Sequence, residues 1–270
     1  MNKKIKIGII GAGTMGQIIC ANLLKNKIVK EGAVFISDKN NQKIQNLKKT
    51  CKITVSKNNS NLIKKTDIII LAIKPRDLTS LSKEIKNSLE KNQIVVSIMA
   101  GISLKRLKKE LGHKKIIRSM PNLAAKIGQA MTIWLPGAKI SSREEKQIKS
   151  IFASFGKEIK VNQEKYLNLA TAVSGSGPAY VFYFIEALIE AAKKLGFNEK
   201  QAKDIVNQTI IGAVGLYNIS GEKAKNLRLK VTSKKGTTDA AIKSFEESKL
   251  KSIIHKGIKK ALARALELEK

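Results

Sequence analysis

A short β-branched strand that runs directly into the pattern G-x-G-x-x-G constrains this chain more than any other feature. Residues 5–10 form the strand, and the pattern spans Gly11, Ala12, Gly13, Thr14, Met15 and Gly16. The first glycine permits a tight turn, the second lets the backbone approach a pyrophosphate, and the third lets the next helix pack closely. The N-terminus of that helix offers free N–H groups and a positive dipole end to phosphates. The segment therefore predicts a dinucleotide-binding site.

A second strand pattern supports this prediction. Residues 33–37 are mostly apolar, and Asp38 follows them 22 positions after Gly16. An acid near this spacing usually bonds a ribose 2′-hydroxyl, which is the hydroxyl that NADH leaves free. The alternative interpretation is a solvated aspartate beside a glycine-rich turn. Lys39 comes next and could instead neutralise the 2′-phosphate of NADPH, so the cofactor preference stays open at this point.

The charge balance is unusual for a chain of 270 residues. The apolar fraction of 43% is normal for a globular protein, but the net charge is +31 and the pI is near 10.1. Such a charge can indicate nucleic-acid binding. However, the lysines are spread along the chain and no nucleic-acid motif accompanies them, so we favour a bias in residue usage. The two cysteines, Cys20 and Cys51, predict neither a disulfide framework nor a metal site.

The sequence predicts a cytoplasmic protein. Its first four residues precede an apolar stretch, as in a signal peptide, but that stretch is the glycine motif itself. No apolar run reaches the length that we expect of a membrane-spanning helix.

Strand and helix patterns alternate up to about Val161. Continuous apolar runs at residues 66–73 and 93–99 are typical of central parallel strands that are buried on both faces. The pattern predicts an α/β, doubly wound Rossmann-type domain over residues 1–162. Residues 163–270 read as helices only, which predicts an all-α domain. The helix at 179–189 is apolar nearly all round, which suggests partnership with a second chain.

Two further strand ends carry marked sequences. One is Ala72-Ile73-Lys74-Pro75, where Lys74 could meet an anion, and the other is Ala100-Gly101. Ligands of open α/β sheets bind outside the carboxyl ends of the strands. Both segments are therefore expected at the cofactor crevice.

The helical part contains two polar stretches. Residues 174–180 read as a helix junction in which Ser176 could cap the next helix. In residues 231–241, hydroxyl groups and a glycine gather at a helix N-terminus beside two lysines. This is either a carboxylate site or a simple helix cap. Only His113 and His255 exist, and neither lies in a marked motif, so histidine acid–base catalysis is not expected. A hydride acceptor that is already electrophilic, such as a protonated imine, fits this absence.

The chain resembles the pyrroline-5-carboxylate reductases over nearly its whole length. The most specific segments are AVSGSGPAYVF at residues 172–182 and VTSKKGTTDAA at residues 231–241. Further matching segments are GIIGAGTMG at 8–16, LAIKP at 71–75, VVSIMAGIS at 95–103 and IIRSMPN at 116–122.

The resemblance implies reduction of L-1-pyrroline-5-carboxylate to L-proline, the last step of proline synthesis, with NADPH or, alternatively, NADH. It implies a homodimer with an interleaved helical domain, which often assembles further into a decamer. It places the substrate carboxylate at Ser233, Gly236 and Thr237, with Thr238 as the catalytic hydroxyl near the ring nitrogen. It places the cofactor at the following residues: Gly11, Ala12, Gly13, Thr14, Met15, Gly16, Ser37, Asp38, Lys39, Asn59, Ala72, Lys74, Pro75, Ala100 and Gly101.

Two departures from the family pattern and two alternatives remain. The family commonly has two glycines where this chain has Lys235-Gly236, so Lys235 is strained if that position requires positive φ. It also usually continues Thr-Pro after Asn122, where this chain has Leu123-Ala124. The alternatives are another two-domain reductase, acting on a hydroxyacid or a different cyclic imine, and a basic protein that binds nucleic acid or senses NADP. The sequence leaves the oligomer size and the activity on other cyclic imines open.

Overall fold

The computed structural model describes residues 5–269, and within them it contains one eight-stranded sheet. The strands are β1 (Ile7–Ile10), β2 (Val34–Ser37), β3 (Thr54–Val55), β4 (Ile68–Leu71), β5 (Ile94–Ser97), β6 (Ile116–Met120), β7 (Ala130–Pro136) and β8 (Gly156–Lys160). Their order is β3-β2-β1-β4-β5-β6-β7-β8, and every pair is parallel except β6 with β7. The predicted α/β, doubly wound fold is confirmed, and the order reverses between β1 and β4.

Twelve α-helices lie in the described part of the chain. They are α1 (Thr14–Lys25), α2 (Asn41–Thr50), α3 (Asn59–Ile63), α4 (Leu78–Ile85), α5 (Leu104–Leu111), α6 (Ser142–Ala153), α7 (Lys165–Ala170), α8 (Gly177–Lys194), α9 (Glu199–Ser220), α10 (Ala224–Lys230), α11 (Thr237–Glu247) and α12 (Leu250–Glu267). After β8 only helices follow, as the sequence predicts. A π-helical turn over Thr171–Gly175 separates α7 from α8. The hydroxyl of Ser176 donates to the carbonyl of Thr171 at 3.1 Å, and its capping of α8 stays a prediction.

The sheet carries an apolar layer on each face because successive strand residues point to opposite sides. In β4, Ile68 and Ile70 belong to one buried cluster, whereas Ile69 and Leu71 belong to the other. Cys20 is fully buried in the first cluster, where it acts as a small core residue. Burial of its thiol raises the pKa of Cys20 well above the ordinary range.

The chain divides into two compact units. The first contains the residues up to Ser176 together with those from Ala261 onward, and the second is Gly177–Lys260. These limits differ from the predicted division into residues 1–162 and 163–270, which follows the change of secondary-structure pattern and stays a prediction. The first unit contains the sheet, and the second contains α8 to α11 and most of α12.

Helix α8 presents a broad apolar surface that the chain itself leaves open. Phe182, Tyr183 and Phe184 are 59%, 75% and 51% exposed. Single exposed apolar side chains are ordinary, but three consecutive aromatic residues on one helix indicate an interaction surface.

The sequence predicts no apolar run that is long enough to cross a membrane, and this prediction of length is wrong. The helical run Lys165–Lys194 meets the length and apolarity of a membrane span. The run is this long because the π-helical turn over Thr171–Gly175 continues α7 into α8. A helix that is covered by other protein passes the same test, so this is weak support for a membrane span.

Candidate active site

An open cleft of about 810 Å³ lies at the carboxyl ends of β1, β2 and β4, beside the point where the strand order reverses. Ligands of doubly wound sheets bind in this position. The cleft is lined by backbone of the glycine loop and by side chains that follow β2, β3 and β4. The first unit therefore presents the surface on which a dinucleotide is expected.

The glycine loop has the shape that a pyrophosphate requires. Gly11 has φ +106°, and a Cβ there would lie 2.5 Å from the carbonyl oxygen of Ala72. A Cβ on Gly16 would overlap the carbonyl oxygen of Gly11, so that glycine allows α1 to pack on the turn. Gly13 stands at the N-cap of α1 with open space above its backbone. The residues present thus fit a dinucleotide whose phosphates face the start of α1.

Asp38 is bonded to the glycine loop itself. Its Oδ2 accepts the backbone N–H of Ala12 at 2.6 Å, and its Oδ1 accepts the N–H of Asn40 at 2.7 Å. Both carboxylate oxygens therefore have backbone donors before any ligand binds. Such charge-assisted bonds are stronger than neutral ones, so Asp38 ties the end of β2 to the turn after β1.

A second polar connection fixes the floor of the cleft. The hydroxyl of Ser37 donates to Oδ1 of Asn59 at 2.5 Å, and Nδ2 of Asn59 donates to Oε2 of Glu84 at 2.8 Å. Ser37 ends β2, Asn59 begins α3 and Glu84 lies on α4. The chain of bonds holds three elements in register around the cleft.

Eight of the fifteen predicted cofactor residues line the cleft: Gly11, Gly13, Ser37, Asp38, Lys39, Asn59, Ala72 and Lys74. Ala12, Thr14, Met15 and Gly16 belong to the same turn and helix start without lining it. Pro75 begins a 3₁₀ turn directly after Lys74. Ala100 and Gly101 lie in the loop after β5, outside this lining.

The cleft also contains basic residues that sequence reasoning missed. Lys43 lies on α2, Lys57 follows β3, and Arg76 follows Pro75. Their signal was weak because β3 has only two residues and a lysine is common everywhere in this chain. Together with Lys39 and Lys74 they outnumber the acidic residues of the lining, Asp38, Asp77 and Glu84, and the resulting positive balance suits phosphate groups.

The predicted substrate residues lie on the second unit, at the start of α11. The N–H of Gly236 donates to the carbonyl of Ser233 at 2.9 Å, which closes a tight turn. Gly236 is the N-cap of α11, and Thr237 and Thr238 occupy its first turn. N–H groups in a first turn have no partner inside the helix and carry the positive end of its dipole. The start of α11 therefore has the free N–H groups and the dipole that favour an anion.

Asp239, which follows Thr238, stabilises this turn. Its Oδ2 accepts the N–H of Lys235 at 3.0 Å and lies 2.9 Å from the ammonium of Lys243. The Lys243 ammonium and, after it, the Lys235 N–H hold the pKa of Asp239 below its ordinary range. The carboxylate is therefore charged at neutral pH and keeps the turn closed.

The two histidines lie in different surroundings. His113 is buried, and its Nε2 lies 2.8 Å from the carbonyl oxygen of Gln93. His255 is exposed on α12. Neither lines the cleft. Within residues 5–269, no group of three or more His, Cys, Asp or Glu side chains is placed to hold a metal ion.

Comparison with known proteins agrees with this arrangement. Residues 6–101 match the family described as NADP oxidoreductase coenzyme F420-dependent, and residues 164–268 match the pyrroline-5-carboxylate reductase dimerisation domain. The pyrroline-5-carboxylate reductase of Escherichia coli is 34% identical over 98% of both chains. The chain belongs to the pyrroline-5-carboxylate reductase family.

Solved structures of the family share the whole fold. The pyrroline-5-carboxylate reductase of Coxiella burnetii is 30% identical, with a TM-score of 0.90, over 99% of this chain and 100% of its own. The Plasmodium falciparum pyrroline carboxylate reductase, solved with NADP bound, is 29% identical, with a TM-score of 0.89, over 98% of both chains.

Family membership gives meaning to two features of the second unit. The matched dimerisation domain includes α8 with its exposed aromatic residues, so this surface belongs to a region that associates in the family. Lys235 has φ +60°, the left-handed conformation that favours glycine. The lysine in this family loop is therefore strained.

Proposed function

We propose that this chain is an NAD(P)H-dependent oxidoreductase that reduces L-1-pyrroline-5-carboxylate to L-proline, the last step of proline biosynthesis. The observation that carries this proposal is the preformed turn of residues 233–238 at the start of α11, in a chain related over its full length to pyrroline-5-carboxylate reductases. A general dinucleotide-binding protein has no need of this second site. NADPH is the proposed cofactor, and NADH is the alternative.

The proposed cofactor site is the cleft with the neighbouring loops. The N–H groups at the start of α1, from Gly13 to Gly16, would hold the pyrophosphate. Lys39, Lys43 and Arg76 are available for the phosphates of the adenosine half. Ala100 and Gly101, in the loop after β5, would contact the nicotinamide half, as the family resemblance implies. When bound, the reduced nicotinamide supplies the hydride.

The proposed substrate site uses the backbone as much as the side chains. The N–H groups of Thr237 and the residues after it are proposed to bind the substrate carboxylate, and Ser233 adds its hydroxyl. Gly236 contributes by closing the turn, since its own N–H donates to the carbonyl of Ser233. Thr238 has its side chain on the first turn of α11 and is proposed to hydrogen-bond the ring nitrogen. Holding the carboxylate fixes the orientation of the ring, and orientation supplies much of the rate.

The reaction needs little proton transfer from the protein. A protonated imine already carries its proton on nitrogen, so hydride addition at the imine carbon yields the neutral amine of proline directly. This fits the positions of His113 and His255, which lie away from the cleft lining. The residues of this chain are therefore proposed to bind and orient rather than to act as acids or bases.

We propose that the functional assembly is a homodimer that joins further into a decamer. The exposed aromatic residues of α8 would be buried against a second copy. In this proposal residues 1–162 bind the cofactor, and residues 163–270 bind the substrate and form the dimer. Burial by a partner subunit also accounts for the apolarity of the run Lys165–Lys194 without a membrane.

The remaining proposals concern location and partners. A cytoplasmic enzyme without a membrane or specific nucleic-acid partner fits a biosynthetic reaction on a small molecule. The high positive charge is then a general property of the surface that attracts anionic substrates.

A turnover assay tests the proposed function. Purified protein is mixed with pyrroline-5-carboxylate and either NADPH or NADH, and both cofactor oxidation and proline are measured. We expect oxidation only when the substrate is present, with one proline formed per cofactor oxidised. A folded protein that binds NADPH but forms no proline would overturn the proposal. Strong, salt-sensitive DNA binding without turnover would favour the nucleic-acid alternative.

A further inference from the structure

Arg118, on β6, is a buried cation at the centre of a polar cluster that the proposed reaction does not use. Its side chain is 2% exposed. Its Nη1 donates to Glu164 and to Glu269, each at 2.7 Å, and its Nη2 donates to the side-chain oxygen of Asn168 at 3.0 Å. Asn168 in turn donates from Nδ2 to the second carboxylate oxygen of Glu269 at 2.7 Å. Glu269 is thus held by two buried donors.

The cluster and the residue next to it contact the loop between β5 and α5, residues 98–103, in its middle and at its far end. At the far end of the loop, Oε1 of Glu164 accepts the N–H of Leu104 at 2.6 Å, where α5 begins. In the middle of the loop, Gly101 lies directly under Leu268, the neighbour of Glu269. A Cβ on Gly101 would be 2.7 Å from the Cβ of Leu268 and 2.9 Å from its carbonyl oxygen. Both contacts depend on Arg118, which is bonded to Glu164 and to Glu269.

The contact with Leu268 restricts the movement of the loop at Gly101. Gly101 has φ +68°, so its conformation is unusual, and the backbone of Leu268 closes the space above it. The loop cannot move outward while Glu269 stays bonded to Arg118 and Asn168. Residues 261–269 belong to the same compact unit as the sheet, although they follow most of the helical unit in the chain.

We propose that Glu269 is a positioning residue that latches residues 261–269 onto the loop of Ala100 and Gly101 and thereby fixes the position of the nicotinamide. The inference rests on the proposed function in one respect, namely that this loop contacts the nicotinamide half of the cofactor. Glu269 acts through Leu268 and Gly101 and touches no reacting atom. Because reacting groups must be placed closely, a small shift of the loop has a large effect on hydride transfer.

The test compares two ligands that differ by the nicotinamide ring. Glu269→Ala and Glu269→Gln are titrated with NADPH and with 2′-phospho-ADP-ribose, which lacks the nicotinamide. Glutamine retains the shape, but its NH₂ group replaces one of the two carboxylate oxygens. Arg118 and Asn168 each donate to one of those oxygens, so glutamine cannot replace both bonds. Glu267→Ala is the matched control, since Glu267 pairs with Arg264 on the surface.

We expect the alanine variant to bind NADPH about tenfold more weakly, with the affinity for 2′-phospho-ADP-ribose unchanged, since a displaced loop affects only the contacts of the nicotinamide ring. Its kcat should fall while the KM for pyrroline-5-carboxylate stays the same. Glu269→Gln should show the same pattern to a smaller degree, and Glu267→Ala should match the wild type.

Amide hydrogen exchange of the unliganded proteins supplies a second measurement that needs no turnover. Residues 98–104 should exchange faster in Glu269→Ala than in the control, with the rest of the sheet unchanged. Equal weakening of both ligands, unchanged binding of both, or unchanged exchange of this loop would overturn the latch. A wild type that forms no proline would overturn the proposed function instead, and the binding and exchange measurements would still decide on the latch.

Discussion

The carboxylate of Asp38 accepts the backbone N–H of Ala12 at 2.6 Å, so the acid at the end of β2 is bonded to the turn that follows β1. Its other oxygen accepts the N–H of Asn40 at 2.7 Å. An aspartate at this position is usually interpreted as a partner of the ribose hydroxyl of NADH. Here the same side chain is bonded to the glycine turn, which is proposed to bind the phosphates of either cofactor.

Replacement of Asp38 should therefore weaken both cofactors alike. We expect Asp38→Ala to raise the dissociation constants of NADH and NADPH by about tenfold each, because two charge-assisted bonds to the turn are lost. Fluorescence titration measures both constants, and Asp204→Ala, an exposed change on α9, is the control. Loss of NADH affinity alone would mean that Asp38 selects the free 2′-hydroxyl.

Lys39 is expected to decide the preference between the cofactors. It lines the cleft directly after Asp38, where its ammonium can neutralise a 2′-phosphate. Lys39→Ala should raise the KM for NADPH far more than the KM for NADH. Lys48→Ala is the control and should change neither KM, because Lys48 lies on α2 outside the cleft lining. Equal effects on both cofactors, or a clear wild-type preference for NADH, would contradict this role.

The strain at Lys235 gives a stability prediction. A left-handed conformation costs a non-glycine residue roughly 1–2 kcal/mol, and glycine recovers most of this at some cost in chain entropy. With φ +60° at Lys235, the variant Lys235→Gly should raise the free energy of unfolding by about 1 kcal/mol, measured by denaturant titration. Lys234→Gly is the control, since residue 234 is not among those with positive φ. A stability gain in the control alone would contradict this account.

Most of the fold could be predicted because its signals are local. The glycine spacing at residues 11–16 and the apolar runs that became β4 and β5 depend on neighbours in sequence. Short elements give weaker signals: β3 has two residues, and α10 has seven. Such lengths give too few residues for a period of 2.0 or 3.6 to appear.

In the candidate site too, features built from neighbouring residues could be predicted and contacts between distant residues could not. The turn at Ser233 to Thr238 was recognisable because its residues are consecutive. The contacts of Arg118 were not, since they join positions 46, 50 and 151 residues apart. The bonding of Asp38 to Ala12 was also hidden, because side-chain direction at the end of a strand does not follow from the alternation along it.

Thr238 should affect catalysis more than stability. If its hydroxyl orients the imine nitrogen, Thr238→Ala should lower kcat/KM by about tenfold, equivalent to roughly 1.4 kcal/mol of transition-state binding. Thr238→Ser keeps the hydroxyl and should recover much of the loss. Thr209→Ala removes an exposed threonine on α9 and serves as the control. If Thr238→Ala keeps wild-type kinetics, the residue only begins the helix.

The aromatic surface of α8 predicts the assembly. Phe182 and Tyr183 are more than half exposed in the single chain, and burial of each such side chain contributes about 1.5–3 kcal/mol. The wild type should therefore scatter light as a dimer or a multiple of it at micromolar concentration. Phe182→Asp places a charge where burial is needed and should yield monomers with little turnover, because an unpaired buried charge is strongly unfavourable. Ile127→Asp changes an exposed apolar position in the other unit and should leave both the assembly and the activity unchanged. A fully active wild-type monomer would contradict both the interface and the proposal that the dimer is the functional assembly.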